Sequence, residues 1–164
     1  MVIGGMTMSQ GFLHSVDNTS NNIQVISQRD QDILRTNVLI LSASQNAANT
    51  LDVSLRNNGH TKLASFDRWD LIVFYHDVGS GDHAVYLPYT SSSLGNNQWT
   101  LEGIYINAST RSPEVFDPGI LDPNEEMTIR CQLSPSVGPN TINLISIATP
   151  NGVTASQTFT GYSP

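Results

Sequence analysis

Residues Gln10–Leu55, QGFLHSVDNTSNNIQVISQRDQDILRTNVLILSASQNAANTLDVSL, pass from a helical pattern directly into a strand pattern. In the first part, apolar residues recur at spacings of four, seven, three and seven, so they share one side of an α-helix. They are Phe12, Val16, Ile23, Ile26 and Ile33. From Thr36 the apolar spacing becomes two, which is typical of β-strands. The stretch therefore predicts a long helix that leads into a β domain.

The rest of the chain consists of short strand patterns separated by turn signals. The apolar run Leu71–His76 (LIVFYH) predicts a central strand with both faces covered. Pro150-Asn151-Gly152 predicts the turn of the last hairpin, with Gly152 at a positive φ. We therefore predict a mainly β fold, an immunoglobulin-like antiparallel β-sandwich over residues 36–164, preceded by one long N-terminal α-helix within residues 1–35.

Two strands carry more detailed predictions. After Trp99 the alternation puts Tyr105 on the same face as Trp99, and Ile104 on the opposite face. Cys131 lies at an inward position of the run that starts at Met127, which predicts a buried thiol without chemical function. It is the only cysteine, so no disulfide forms within the chain.

Composition limits the class of protein. The 164 residues suffice for one domain with a real core. Seven basic residues against fourteen acidic ones give a net charge of −7, and the basic residues are scattered. Such a surface repels phosphate backbones, so we exclude nucleic acid as a partner.

The first residues, Met1–Met8 (MVIGGMTM), are apolar but too few to cross a bilayer, which takes about 20 residues. Gly4 and Gly5 are poor choices in a water-exposed helix and common in membrane helices. We therefore favour the end of a membrane helix that begins upstream of Met1 over the frayed start of a water-exposed helix. Contact with a membrane is expected only through that upstream helix.

No pattern predicts a catalytic, cofactor-binding or metal site. His76, Asp77, Ser80 and Asp82 supply the residue types of a hydrolase, but the nucleophile-elbow motif is absent. The two aspartates of that loop lack the spacing of a calcium loop. Four acidic residues near two Asp-Pro steps are explained by turn chemistry rather than cation binding. They are Asp117, Asp122, Glu125 and Glu126.

Two sequons of the N-x-[S/T] type occur, at Asn18 in the helical part and at Asn107 at a strand end. Either is a possible glycosylation site if the protein is exported. The strand end is the more accessible position, so Asn107 is the better candidate.

Four motifs occur in a characteristic order. They are VSLRNNG (Val53–Gly59), FDRWDLIVF (Phe66–Phe74), FDPGILDPNEEMTI (Phe116–Ile129) and ISIATPNGVTAS (Ile145–Ser156). From Gln10 onward the chain resembles the F- and G-type stator proteins of the archaeal flagellum (archaellum) and the outer domains of archaeal flagellins. That family is type IV pilin-like, with an N-terminal membrane helix followed by an immunoglobulin-like sandwich.

The resemblance implies a non-enzymatic, extracytoplasmic structural protein at the cell surface, either a stator component or a filament subunit. It implies protein partners: further copies, related pilin-like subunits or the surface layer. The alternative is a carbohydrate-binding or adhesive sandwich module that uses exposed aromatic side chains. The candidates for such a platform are Trp69, Trp99, Tyr89 and Tyr105.

The helix carries a candidate site for contact with another subunit. Its apolar stripe, Phe12 to Ile33, repeats at about seven residues, which suits pairing with another helix. Thr19 and Asp30 interrupt the stripe and would weaken a two-chain coiled coil. We therefore predict that this stripe contacts another subunit.

Overall fold

The computed structural model describes residues 23–114 and 117–164. Residues 23–35 are helical, and Arg35–Pro164 form a compact unit separate from the residues that precede it. The predictions for Met1–Met8, Phe12, Val16 and Asn18 lie outside the described residues.

The described part of the β unit contains nine strands and one 3₁₀ turn. The strands are β1 Val38–Ala47, β2 Thr50–Asn57, β3 Asp70–His76, β4 Asp82–Leu87, β5 Gln98–Asn107, β6 Ser112–Pro113, β7 Glu126–Gln132, β8 Ile142–Ala148 and β9 Thr154–Thr160; the 3₁₀ turn is Phe66–Arg68. The first sheet has the order β1-β2-β7-β5-β6 and the second has the order β4-β3-β8-β9. All paired strands are antiparallel. The prediction of a β-sandwich preceded by a helix is confirmed.

The core lies between the two sheets and follows the period-two pattern of the strands. In the first sheet, Val53 and Ile129 face each other across β2 and β7, and both are fully buried. In the second sheet, Val73 and Ile145 form the corresponding buried pair on β3 and β8. Cys131 is buried in the same layer, as predicted, and burial raises the pKa of its thiol far above the ordinary value.

Asn57, at the end of β2, explains why two of the sequence motifs occur together. Its side-chain amide nitrogen donates to the carbonyls of Thr61, at 2.7 Å, and Leu121, at 2.9 Å. Its carbonyl oxygen accepts the Gly59 amide at 3.0 Å. A buried side chain with these partners joins the turn after β2 to the Asp-Pro segment before β7.

The prediction for β5 was wrong beyond Leu101. The register with β7 shifts between Leu101 and Gly103, which is a β-bulge. The extra residue turns the following side chains over, so that Ile104 is buried with Trp99 rather than opposed to it. The ring of Tyr105 instead lies over Gly103, where a Cβ atom would approach the phenolic oxygen to 2.5 Å.

The prediction for β3 was half right. Leu71–His76 forms an inner strand, paired with β4 on one side and β8 on the other. Only one of its faces is covered, because Phe74 on the other face is 44% exposed. The outward side chains of the run are therefore apolar although no second layer buries them, and they form an exposed apolar surface.

The last hairpin has the predicted turn. The Gly152 amide donates to the Thr149 carbonyl at 2.8 Å, and the Thr149 amide donates to the Val153 carbonyl at 2.9 Å. Gly152 has a φ of +89°. This is a three-residue loop that closes with a glycine in the left-handed region.

Replacement of Gly152 by valine should therefore destabilise the domain by about 1–2 kcal/mol, because a β-branched residue is strained at positive φ. Urea unfolding followed by circular dichroism measures the change. Gly152→Asn is the matched control and should lose less, since asparagine tolerates this conformation. Equal stability of Gly152→Val and the parent would contradict the assignment of the turn.

Glu126 is a buried carboxylate that anchors β7, with a side chain 6% exposed. It accepts the Ala108 amide at 2.8 Å and the guanidinium of Arg56, its neighbour across the sheet. Burial raises the pKa of Glu126, but the bonds from Ala108 and Arg56 outweigh burial and the net pKa is lowered from its ordinary value of 4.5.

A lowered folded-state pKa means that ionised Glu126 stabilises the domain above pH 4.5, and that this stabilisation is lost as the pH falls through the folded-state pKa. Glu126→Gln should cost about 1–3 kcal/mol at pH 7, and the difference from the parent should shrink in acid. Urea unfolding at a series of pH values tests this. Glu102→Gln is the control, because Glu102 lies 3.6 Å from Arg130 at an exposed position and should change stability little. Equal costs for both variants would refute the anchoring role.

Candidate interaction surfaces

The described part of the helix carries an exposed apolar face. Ile23 is 61% exposed and Ile26 is 59% exposed, whereas Ile33 is partly buried. Leu34 is 85% exposed and follows Ile23 by about three helical turns, so the two side chains share a side of the helix. We call Ile23, Ile26, Ile33 and Leu34 the helix face. Leu34 falls outside the seven-residue repeat, so the sequence pattern did not predict it as part of this face.

The second sheet carries another apolar surface, on the side away from the core. We call it the outer sheet face, and its residues are Ile72, Phe74, Ala84, Tyr86, Ile142 and Leu144. Tyr86 is 53% exposed and lies opposite Ile72, while Phe74 lies between Ala84 and Leu144. The strand register therefore makes these side chains contiguous across three strands.

The outer sheet face contains a shallow hollow of about 470 Å³. Phe74, Ala84, Ile142 and Leu144 supply apolar lining, and His76 and Asp82 lie at one end. The latter two pair across β3 and β4, with His76 Nδ1 at 2.5 Å from Asp82 Oδ1. The surface thus has an apolar centre and a polar end, which suits contact with apolar groups more than recognition of a polar ligand.

The two carboxylates of the segment that joins β3 and β4 are paired with histidines. His83 Nε2 lies 2.8 Å from Asp77 Oδ2, and Asp77 Oδ1 accepts the Gly81 amide at 2.8 Å. These two contacts, His83 first, lower the pKa of Asp77. Each carboxylate of this loop is engaged by a different histidine, Asp77 by His83 and Asp82 by His76. The loop is held in shape by these pairs.

Two of the four acidic residues near the Asp-Pro steps, Asp117 and Asp122, pair with a lysine. Lys62 Nζ bonds Asp117 Oδ2 and lies 3.1 Å from Asp122 Oδ1, and these carboxylates raise the pKa of the ammonium group. Glu125 accepts the Asp122 amide at 2.9 Å, as a turn residue would. Within residues 23–114 and 117–164, no three histidine, cysteine or acidic side chains are arranged to hold a metal ion.

The aromatic residues considered as a sugar platform are largely internal. Trp69 is 1% exposed and Trp99 is fully buried. Trp69 donates to the Ala64 carbonyl at 3.1 Å, and Trp99 packs edge-on against Tyr89 at a centroid distance of 4.9 Å. Tyr105, like Tyr89, is partly buried. These four residues therefore form no exposed stacking surface.

The sequon asparagine at the end of β5, Asn107, is partly buried and heads the turn formed by residues 108–111. Ser109 and Thr110 in this turn are exposed.

Among the described residues, no helix combines the length and apolarity that a bilayer crossing requires.

No protein-family model matches the sequence, and no curated protein sequence matches it. Solved structures with a similar fold include the archaellum periplasmic stator protein FlaG from Sulfolobus acidocaldarius, with 23% identity and a TM-score of 0.52, covering 76% of this chain and 99% of that one. The periplasmic stator complex of FlaF and FlaG from the same organism matches at 24% identity and a TM-score of 0.53, over 74% of this chain and 87% of that one.

The archaeal flagellum of Methanospirillum hungatei strain JF1 is similar over 94% of this chain and 83% of that one, with 10% identity and a TM-score of 0.59. At these identities the likeness concerns the fold. The resemblance predicted from the four sequence motifs is confirmed at that level: this chain has the fold of archaellum stator proteins and of the archaeal flagellum subunit.

Proposed function

We propose that the chain is a non-enzymatic, extracytoplasmic structural protein of an archaellum-type motility machine, with a helix over residues 1–35 and a sandwich over residues 36–164. The observation that carries the proposal is the likeness in fold to FlaG, to the FlaF–FlaG complex and to the archaeal flagellum, the last over 94% of this chain. A structural protein of an assembly makes contacts with other chains, and exposed apolar surfaces are typical of such contacts.

Within this function we propose the stator role. Its support is that FlaG and the FlaF–FlaG complex match at 23% and 24% identity, against 10% for the flagellum. The filament role uses the same architecture, and the shearing experiment described below distinguishes the two roles.

The helix face is the proposed contact with another subunit, and the occupant is a helix of a second copy or of a related pilin-like chain. Isoleucines at about seven-residue spacing present a narrow apolar seam, which a second helix covers better than a sheet does. Ile23, Ile26 and Leu34 are more than half exposed, so their burial would add apolar area to the contact. Asp30 interrupts the seam and keeps the pairing weak outside the assembly.

The carbohydrate-binding alternative has less support. The two tryptophans that a sugar-binding platform would use, Trp69 and Trp99, are in the core. The exposed aromatic residues of the outer sheet face, Phe74 and Tyr86, lie opposite Ala84 and Ile72, and the polar side chains His76 and Asp82 of that face are paired with each other.

Deletion of the gene from the source cells tests the function. We expect loss of swimming, restored by the wild-type gene, and digestion of the protein by protease added outside intact cells. After filaments are sheared off, a stator protein stays with the cell envelope, whereas a filament subunit leaves with the filaments. Normal swimming in the deletion strain would contradict the proposed function.

The helix face is tested by the double substitution Ile23→Asp and Ile26→Asp in the same strain. Two charges in a dry seam should cost several kcal/mol of association energy, so we expect loss of swimming and loss of co-purification with other subunits. The sandwich should still fold, because its core is made by residues of the β unit.

The matched control is Gln24→Asp with Gln28→Asp, which adds the same charge to the same helix away from the seam. We expect it to retain swimming. If the seam variant assembles as well as the control, the helix face is not an interface. If the seam variant unfolds the sandwich, the helix belongs to the core of the β unit and the proposed role of the helix is wrong.

A further inference from the structure

Three of the four sheet edges in the described part of the chain are protected from pairing with another chain. The first sheet ends in β1 and β6, and the second sheet ends in β4 and β9. β1 carries two register irregularities and lies against β9, so these two edges cover each other. β6 is two residues long and contains Pro113, which cannot donate a backbone hydrogen bond.

The fourth edge, β4, has none of these protections. Its six residues pair with β3 in an unbroken register and include neither proline nor lysine. Within residues 23–114 and 117–164, the backbone of β4 forms hydrogen bonds with β3 alone. The open edge ends at Leu87, because the carbonyl of the next residue, Pro88, accepts the Trp99 amide at 3.1 Å.

The hydrogen-bond pattern shows which residues of β4 have backbone groups on the open side. The Asp77 amide donates to the Gly81 carbonyl at 2.9 Å, one step beyond the ladder of β3 and β4. Antiparallel pairs alternate between bonded and non-bonded, so the bonded pairs of this ladder are those of the odd-numbered residues. The amides and carbonyls of the even-numbered residues therefore point away from β3. These residues are Asp82, Ala84 and Tyr86, and all three are exposed.

We propose that β4 pairs in antiparallel orientation with β4 of a second copy of this chain, about a two-fold axis at Ala84. In this register Ala84 lies opposite Ala84 of the second copy, and Asp82 lies opposite Tyr86. Each residue with open backbone groups then faces another such residue, so every one of the three pairs forms two hydrogen bonds.

Neighbouring registers use fewer of the open groups. A shift by two residues in one direction places Asp82 opposite Pro88, which has no amide hydrogen and whose carbonyl is already bonded. A shift in the other direction places Tyr86 opposite Ser80, which lies in the turn before β4. The register centred on Ala84 is therefore the one that satisfies the whole edge.

The side chains suit the same register. Ala84 is small, so the two strands can approach each other at the axis. Tyr86 is 53% exposed, and its phenol would lie beside the Asp82 carboxylate of the second copy, to which it can donate. The two Asp82 side chains lie at opposite ends of the paired strands, so no like charges face each other. The outer sheet faces of the two copies would form one continuous apolar surface.

Pairing of this kind closes at two copies. β4 is the one unprotected edge of the described sheets, so a dimer made through it leaves no edge to which a third copy could add. Contact through a single strand buries little surface, so the dimer is weak and depends on protein concentration. The inference does not rest on the proposed function, since it follows from the geometry of the sheet.

Cysteine cross-linking of the purified full chain tests the register. Opposite residues of a bonded pair lie about 5.5 Å apart between Cα atoms, which is within the range of a disulfide. We expect Ala84→Cys to form a disulfide-linked dimer on mild oxidation roughly tenfold faster than Ile142→Cys does. Ile142→Cys is the matched control, because Ile142 is 74% exposed on the same sheet face but lies two strands from the open edge. The native Cys131 is buried in both variants.

Charge variants separate this pairing from non-specific contact between apolar surfaces. Tyr86→Asp would place two carboxylates opposite each other at both ends of the paired strands, so the dissociation constant of the dimer should rise about tenfold. Tyr86→Lys also removes the aromatic ring, but it places an ammonium group opposite Asp82 and should retain the dimer. Sedimentation over a series of protein concentrations measures the dissociation constants, and melting temperatures show whether the variants are folded.

Each outcome supports or overturns the proposal. Equal cross-linking of Ala84→Cys and Ile142→Cys, or a parent chain that stays monomeric at every concentration, overturns it. Equal weakening by Tyr86→Asp and Tyr86→Lys, at unchanged melting temperatures, contradicts the register. If Ala84→Cys added to an envelope extract links to a different protein and not to itself, the edge belongs to another partner and self-pairing is wrong. None of these results decides the proposed function, which depends on swimming of the deletion strain.

Discussion

The inward side chains of β2 and β7 are the part on which the rest of the fold depends. Leu51, Val53 and Leu55 on β2 face the residues Cys131, Ile129 and Met127 on β7, and all six are fully buried. Such a layer is stable only if a second apolar layer covers it and all backbone polar groups beneath it are paired. The second sheet supplies that layer, and the polar segments between strands are then confined to the two ends of the sandwich.

The core takes only the inward side chains of the second sheet, so apolar side chains remain on the opposite side of that sheet. An unbroken run such as Leu71–His76 places every second residue inside, so Ile72 and Phe74 necessarily point outward. Apolar side chains exposed together in this way are the kind of surface that a contact with another chain would cover. The same reasoning applies to the helix, where Ile23 and Ile26 are exposed although they are as apolar as core residues.

Several charged groups among the described residues stabilise the fold. Arg130 pairs with Asp52 across neighbouring strands at 2.7 Å, Arg56 pairs with buried Glu126, and Lys62 joins two aspartates. A sequence with fourteen acidic residues suggests cation sites. The acidic residues that lie closest together, Asp117 and Asp122, are instead paired with Lys62. What distinguishes the described surface is therefore its exposed apolar side chains.

Local chemistry in the sequence was enough to predict the β-sandwich, the buried Cys131, the last hairpin and the positive φ of Gly152. Each of these depends on a period of two or on the conformational freedom of one residue, and both can be read without knowing what lies nearby. Tertiary structure decided the rest. The bulge after Leu101 is set by pairing with β7, the exposure of Phe74 depends on whether another layer covers β3, and the partner of Lys62 comes from a segment 55 residues away. These features depend on which distant segments of the chain pack together. The residue pattern along one strand does not say which segments those are.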